Sequence, residues 1–81
     1  MSVTYFAAMP FNRDEEGNPV PGEARDFQDA GKAVRWAGIM AAGEGACGAV
    51  AYSRTGDPAL GDWQDAVILK QIGDIGDLPS A

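Results

Sequence analysis

Apolar positions in this chain alternate, then space out, then alternate again. Residues 2–9, SVTYFAAM, put Val3, Tyr5 and Met9 on one parity and Phe6 and Ala8 on the other. That period of two predicts a first strand. Between residues 27 and 43 the spacing widens, and Ala30, Ala33, Val34, Ala37 and Ala41 recur at the interval of one helical face. Asp26 stands where an N-cap belongs, Asp29 falls in the first turn, and Gly43 with Gly45 supplies the stop. ACGAVAYS (46–53) and DAVILKQI (65–72) return to alternation and predict the second and third strands, joined as a hairpin over 46–72.

What lies between these runs sets the architecture. PFNRDEEGNPVPGEARD carries three prolines and two glycines, and reads as a long exposed acidic loop over 10–26. The predicted order is therefore β-α-β-β: a single α+β domain over 1–81, one helix on a three-stranded, mainly antiparallel sheet, and an irregular or loosely docked tail over 73–81. Both faces of that sheet are apolar. The second strand sets Val50 and Tyr52 against Cys47, Ala49 and Ala51; the third sets Val67 and Leu69 against Ala66, Ile68 and Ile72. One helix covers one face, so a second copy, a partner, or the loop and tail must cover the other. Trp36 and Ile39 lie off the helix's alanine face beside Lys32. Together with the small core, they lead to the expectation of a two-fold homodimer built on Trp36 and Ile39 or on the sheet face.

Composition sharpens this. Fourteen of the 37 hydrophobic residues are alanine, so the larger apolar side chains are few for an 81-residue domain. Twelve carboxylates against six basic residues leave a net charge of −6. That balance argues against direct nucleic-acid binding and against an anionic membrane surface. No histidine is present and Cys47 is the sole cysteine, so neither a zinc site of the usual types, nor a cofactor, nor an internal disulfide is expected. A disulfide through Cys47 across a dimer axis would need oxidising conditions. The N-terminus has no basic leader and no run reaches the length of a membrane span, which points to the cytoplasm.

Two stretches carry candidate chemistry. SRTGDPALGDW brings Ser53, Arg54, Thr55, Asp57, Asp62 and Trp63 into the predicted hairpin loop. Arg54 and the amides around Gly56 could grip an anion, but Asp57-Pro58 and Gly61-Asp62 are also plain turn formers, so a structural hairpin loop is the favoured reading, with Arg54, Asp57, Asp62 and Trp63 as its candidate contact residues. Catalysis through Ser53, Arg54 and Asp57 would lack a histidine base, and Asp57, Asp62 and Asp65 lack the ligand spacing of a calcium loop. The second stretch is acidic: Asp14, Glu15, Glu16, Glu23, Asp26 and Asp29 fall within sixteen residues. Such a surface keeps a small domain soluble, and it can also dock on a positive groove as a phosphate backbone would.

The run Gly48 to Pro58, GAVAYSRTGDP, followed by Asp62-Trp63 and the apolar Ala66 to Leu69, resembles a set of short acidic uncharacterised proteins from α-proteobacteria and their phages. FNRDEEGNPVPGEA is similar to their N-terminal half. The resemblance implies a single α+β domain in a bacterial or phage cytoplasm and assigns no catalytic residue. By size and charge the chain is similar to anti-CRISPR inhibitors. The expected function is a non-enzymatic module that occupies a basic nucleic-acid-binding surface on a protein partner. The alternatives are a structural or regulatory homodimer and a small enzyme or anion binder using the SRTGD loop.

Overall fold

The computed structural model describes residues 2–76. Two long strands form its centre: β1 (Val3–Arg13) and β4 (Ala46–Asp57), antiparallel along nearly their whole length. Each is flanked on its outer side by two short strands in line. β2 (Pro19–Pro21) and β3 (Arg25–Phe27) border β1, while β5 (Asp62–Trp63) and β6 (Val67–Gly73) border β4. Every pairing is antiparallel. The helix α1 (Ala30–Ala41) joins β3 to β4 and packs on one face of the sheet. The α+β class agrees with the sequence reading, and so does the single helix among the described residues, but six strands there replace the three expected.

The extra strands come from the predicted loop. β1 does not stop at Met9; its alternation runs on through Pro10 and Phe11 to Arg13. Pro10 carries no N–H, and its carbonyl accepts from Gly22 N at 2.8 Å on the outer side of β1. In an antiparallel ladder both groups of a residue point the same way, so the missing donor falls in the gap between β2 and β3. The sheet edge is split where the proline sits. Pro19 and Pro21 lie in edge strand β2, the tolerated place for proline in a sheet.

The helix is shorter than the 27–43 expected. Asp29, not Asp26, is its N-cap: the Asp29 carboxylate accepts from Lys32 N at 2.7 Å. Asp26 is instead a β3 residue paired with Ala7. Phe27 is drawn into the strand because it packs against the core on the helix side. Gly45 has φ +82° and closes the turn into β4.

Alanines fill the centre. Ala33 and Ala37 of α1 meet Ala8 of β1 and Ala49 and Ala51 of β4, all fully buried, so helix and sheet backbones approach closely. Larger side chains (Phe6, Phe27, Val34, Met40, Leu69 and Ile72) form the rim of this contact. Leu69 and Ile72 share the helix side, although strict alternation separates them. The register slips between Ala51 and Tyr52 opposite this part of β6, and that bulge reverses the parity. A second slip opposite Phe11–Asn12 moves Cys47 away from Ala49 and Ala51 and into the cluster on the other face.

That other face is covered over half its length, and the cover is the tail. After β6 the chain turns at Gly73, φ +69°, and Asp74 is tied down three ways. Asp74 N donates to Cys47 O at 2.9 Å, the Cys47 thiol donates to Asp74 O at 3.3 Å, and Arg13 pairs with the Asp74 carboxylate at 3.0 Å. Ile75 is thereby laid on Phe11 and Val50 and is 3% exposed. Of the irregular or loosely docked tail expected from residue 73, residues 74–76 are irregular but Ile75 is buried on the sheet, and residues 77–81 lie outside the described residues.

Candidate functional site

The uncovered half of the second face is reached by reading the register across the sheet. Pairs directly opposite one another share a face. Asp26, Ala7, Tyr52 and Ile68 make one row across β3, β1, β4 and β6. Tyr5 and Arg54 make the next, and Gly56 with Trp63 the one beyond it. Tyr5, Ala7, Asp26, Tyr52, Arg54 and Trp63 line an open cleft of about 250 Å³.

Each wall has a local cause. A Cβ on Gly56 would stand 2.6 Å from the Trp63 ring, so only glycine lets that indole lie against β4. Tyr5 packs on Trp63 with ring centroids 5.5 Å apart, and the Arg54 guanidinium lies 5.8 Å from the Trp63 centroid. Ala7 forms the floor because it is the smallest side chain of its row. Tyr5 is 47% and Ile68 45% exposed at the margins. The Asp26 carboxylate is exposed and makes no hydrogen bond or ion pair among the described residues.

The predicted contact loop is divided by the sheet. Arg54, Thr55 and Asp57 belong to β4, and the hairpin turn is only residues 58–61. Arg54 and Trp63 face the cleft, whereas Asp57 and Asp62 are paired one residue out of phase with them, on the opposite face. Asp57 accepts from Ala59 N at 3.0 Å and shapes the turn. Ser53 pairs with Phe6 on the helix side, and Thr55 bonds Thr4 through their hydroxyls at 2.9 Å. Of Ser53, Arg54 and Asp57, Arg54 lies on the cleft face and the other two on the opposite face of β4. Among the described residues no three His, Cys, Asp or Glu side chains are grouped to hold a metal.

The six carboxylates of the acidic stretch are all exposed, but they form a string rather than a patch. Asp14, Glu15 and Glu16 occupy the β1–β2 turn, Glu23 the gap between β2 and β3, Asp26 the cleft rim, and Asp29 the helix start. From the turn to the Ala7–Asp26 row is seven residues of β1, or ~23 Å. Two have structural duties. Asp14 accepts from Glu16 N and Asn18 N, both at 2.9 Å, and Asp29 caps α1. Of the basic residues of this edge, Arg13 spans from the β1–β2 turn, where it donates to Gly17 O at 2.9 Å, to the Asp74 carboxylate, and the Arg25 guanidinium lies 5.3 Å from the Trp36 centroid on the helix side.

Trp36 itself stacks on Phe27, with centroids 6.0 Å apart and planes at 20°. It has its partners within the chain, though 37% of it remains exposed. Ile39, 53% exposed, is the member of the expected self-association pair left facing solvent. Among the described residues no helix is long and apolar enough to cross a membrane.

Tyr5, Tyr52 and Ala7 are site residues that the sequence reading did not single out. Alternation grouped Tyr5 with Val3 and Met9, and Tyr52 with Val50; what it could not supply was which parity faces the helix, or the register that brings the two tyrosines together around Ala7. No family model, curated protein or solved structure matches the chain.

Proposed function

We propose that this protein is a non-enzymatic binding module that docks on a basic protein surface, one that would otherwise hold nucleic acid, and so acts as an inhibitor of the anti-CRISPR kind. The observation that carries the reading is the string of exposed carboxylates Glu15, Glu16, Glu23 and Asp26 along the outer edge of β1, ending at an aromatic cleft. Spaced negative charge steers a basic partner, and the Tyr, Trp and Arg of the cleft are the residue types in which binding energy concentrates. Prolines in β2 disfavour strand addition at that edge, which leaves side-chain charge as its means of contact.

The test is calorimetric titration with an arginine-rich peptide at low and high salt. Affinity should fall steeply with salt. The pair Glu15→Lys with Glu16→Lys should weaken it more than the equal charge change Asp62→Lys with Asp65→Lys. Asp14 is spared because it closes the turn. Equal losses from the two pairs would reduce the effect to net charge and sink the docking reading.

A second reading is a homodimer through the same open end, supported by Tyr5 and Ile68 at its margin. The covering of Phe11 and Val50 by Ile75 and the internal partners of Trp36 remove much of the apolar surface that motivated a dimer.

A further inference from the structure

We propose that the cleft at the open end of the sheet seats one basic side chain of a protein partner, an arginine or lysine. Asp26 takes its charge and Arg54 takes the main-chain carbonyl beside it. This rests on the reading of the protein as a module for a basic surface, and names the point where specificity enters.

The first argument is size and shape. At about 250 Å³ the cleft is below the usual range of cofactor and substrate pockets, and suits one long side chain. Ala7 leaves a trough in the row between Asp26 and Tyr52, and the methylene stem of a basic side chain can lie in it. Tyr5 and Tyr52 line it, and the faces of aromatic rings attract cations.

The second argument is charge. The cleft is bipolar. Asp26 stands at the β3 end, exposed and unpaired among the described residues. Arg54 stands at the β4–β5 end, held over Trp63. Their strands are two spacings apart, ~10 Å. An anion alone would meet Asp26, and a bare cation would meet Arg54. A basic residue within a peptide satisfies both, offering a cation at one end and a carbonyl acceptor at the other. The carboxylate can accept a guanidinium through paired hydrogen bonds. The chain itself twice seats a guanidinium on an indole, at Arg25–Trp36 and at Arg54–Trp63.

The experiment is titration of the isotope-labelled full chain with single-residue probes, read by amide and indole N–H chemical shifts. The probes are N-acetyl-arginine methylamide, its lysine and glutamate counterparts, and guanidinium chloride, all at matched ionic strength. Saturable shifts centred on Ala7, Asp26, Tyr52 and the Trp63 indole are expected with the arginine and lysine amides. Guanidinium ion should bind more weakly, since it brings no carbonyl for Arg54. Asp26→Asn should weaken the arginine amide about tenfold or more, the order of one hydrogen bond to a charged group. Tyr52→Leu keeps an apolar wall without the π face and should weaken it less. Dispersed spectra of both variants establish that they are folded.

The proposal is overturned if the basic amides give no saturable shift at these residues, if the glutamate amide shifts them equally, or if Asp26→Asn binds undiminished. Should the amides fail while the arginine-rich peptide still binds with its dependence on Glu15 and Glu16, the edge-docking reading stands and only the cleft assignment falls. Loss of both removes both.

Discussion

At Gly48 the space for a side chain is taken by backbone. It pairs with Phe11 on one side and Gly73 on the other, and an added Cβ would stand 2.6 Å from Ile72 O and 2.8 Å from Asp74 O. Backbone held in a ladder cannot yield as a flexible side chain can. Gly48→Ala should therefore cost roughly 1–3 kcal/mol in urea unfolding, the range of an overpacked interior. It should also loosen Ile75, whose position depends on the turn at Gly73. Gly56 shows the same economy at the site, where the missing Cβ is occupied by the Trp63 ring. Neither role is visible in the sequence, because a glycine needed for close approach looks the same as one needed for a turn.

The elements were legible in proportion to how local their causes are. The helix was found from its alanine spacing, and Ala33 and Ala37 are its fully buried positions. Ala37→Leu should overpack the contact with Ala49 and Ala51 and cost roughly 1–3 kcal/mol; an unchanged thermal midpoint would contradict the alanine interface. The helix start was misplaced by three residues, because Asp26 and Asp29 are equivalent as caps until Phe27 is known to be held by β3. β2 and β3 were missed for a related reason. Three prolines and an acidic run look like loop, and only the long partner β1 makes strands of them. Parity errors at Cys47 and Leu69 trace to bulges, which alternation cannot foresee. For the site, parity within a strand was readable and register was not: Tyr5 and Tyr52 could each be grouped with their strand neighbours, but not with one another in a cleft with Asp26 and Arg54.

For the whole molecule the open question is what occupies the uncovered end of the sheet. The homodimer reading expects light scattering to rise with concentration towards twice the 8.4 kDa chain mass. On that reading Ile68→Lys, at the exposed margin, should restore the single-chain mass, while Ile39→Asp on the helix should leave the association intact. A single-chain mass up to high micromolar concentration would leave the open end to a basic partner. The net charge of −6 opposes self-association most at low salt, so the measurement belongs at moderate ionic strength.

The pairing of β1 with β4 also fixes when the fold can form. Phe11 must find Gly48, and Val3 must find Gly56, so the two central strands close a loop that contains β2, β3 and the whole helix. Local pieces such as the turn at Asp14 and the capped helix can appear earlier, but the alanine interface needs both central strands at once. Closure over that separation is slow compared with helix or hairpin formation. During synthesis the amphipathic helix therefore emerges before the strand that buries half its alanine face. The chain is committed to its native topology only when residues 46–57 have left the ribosome.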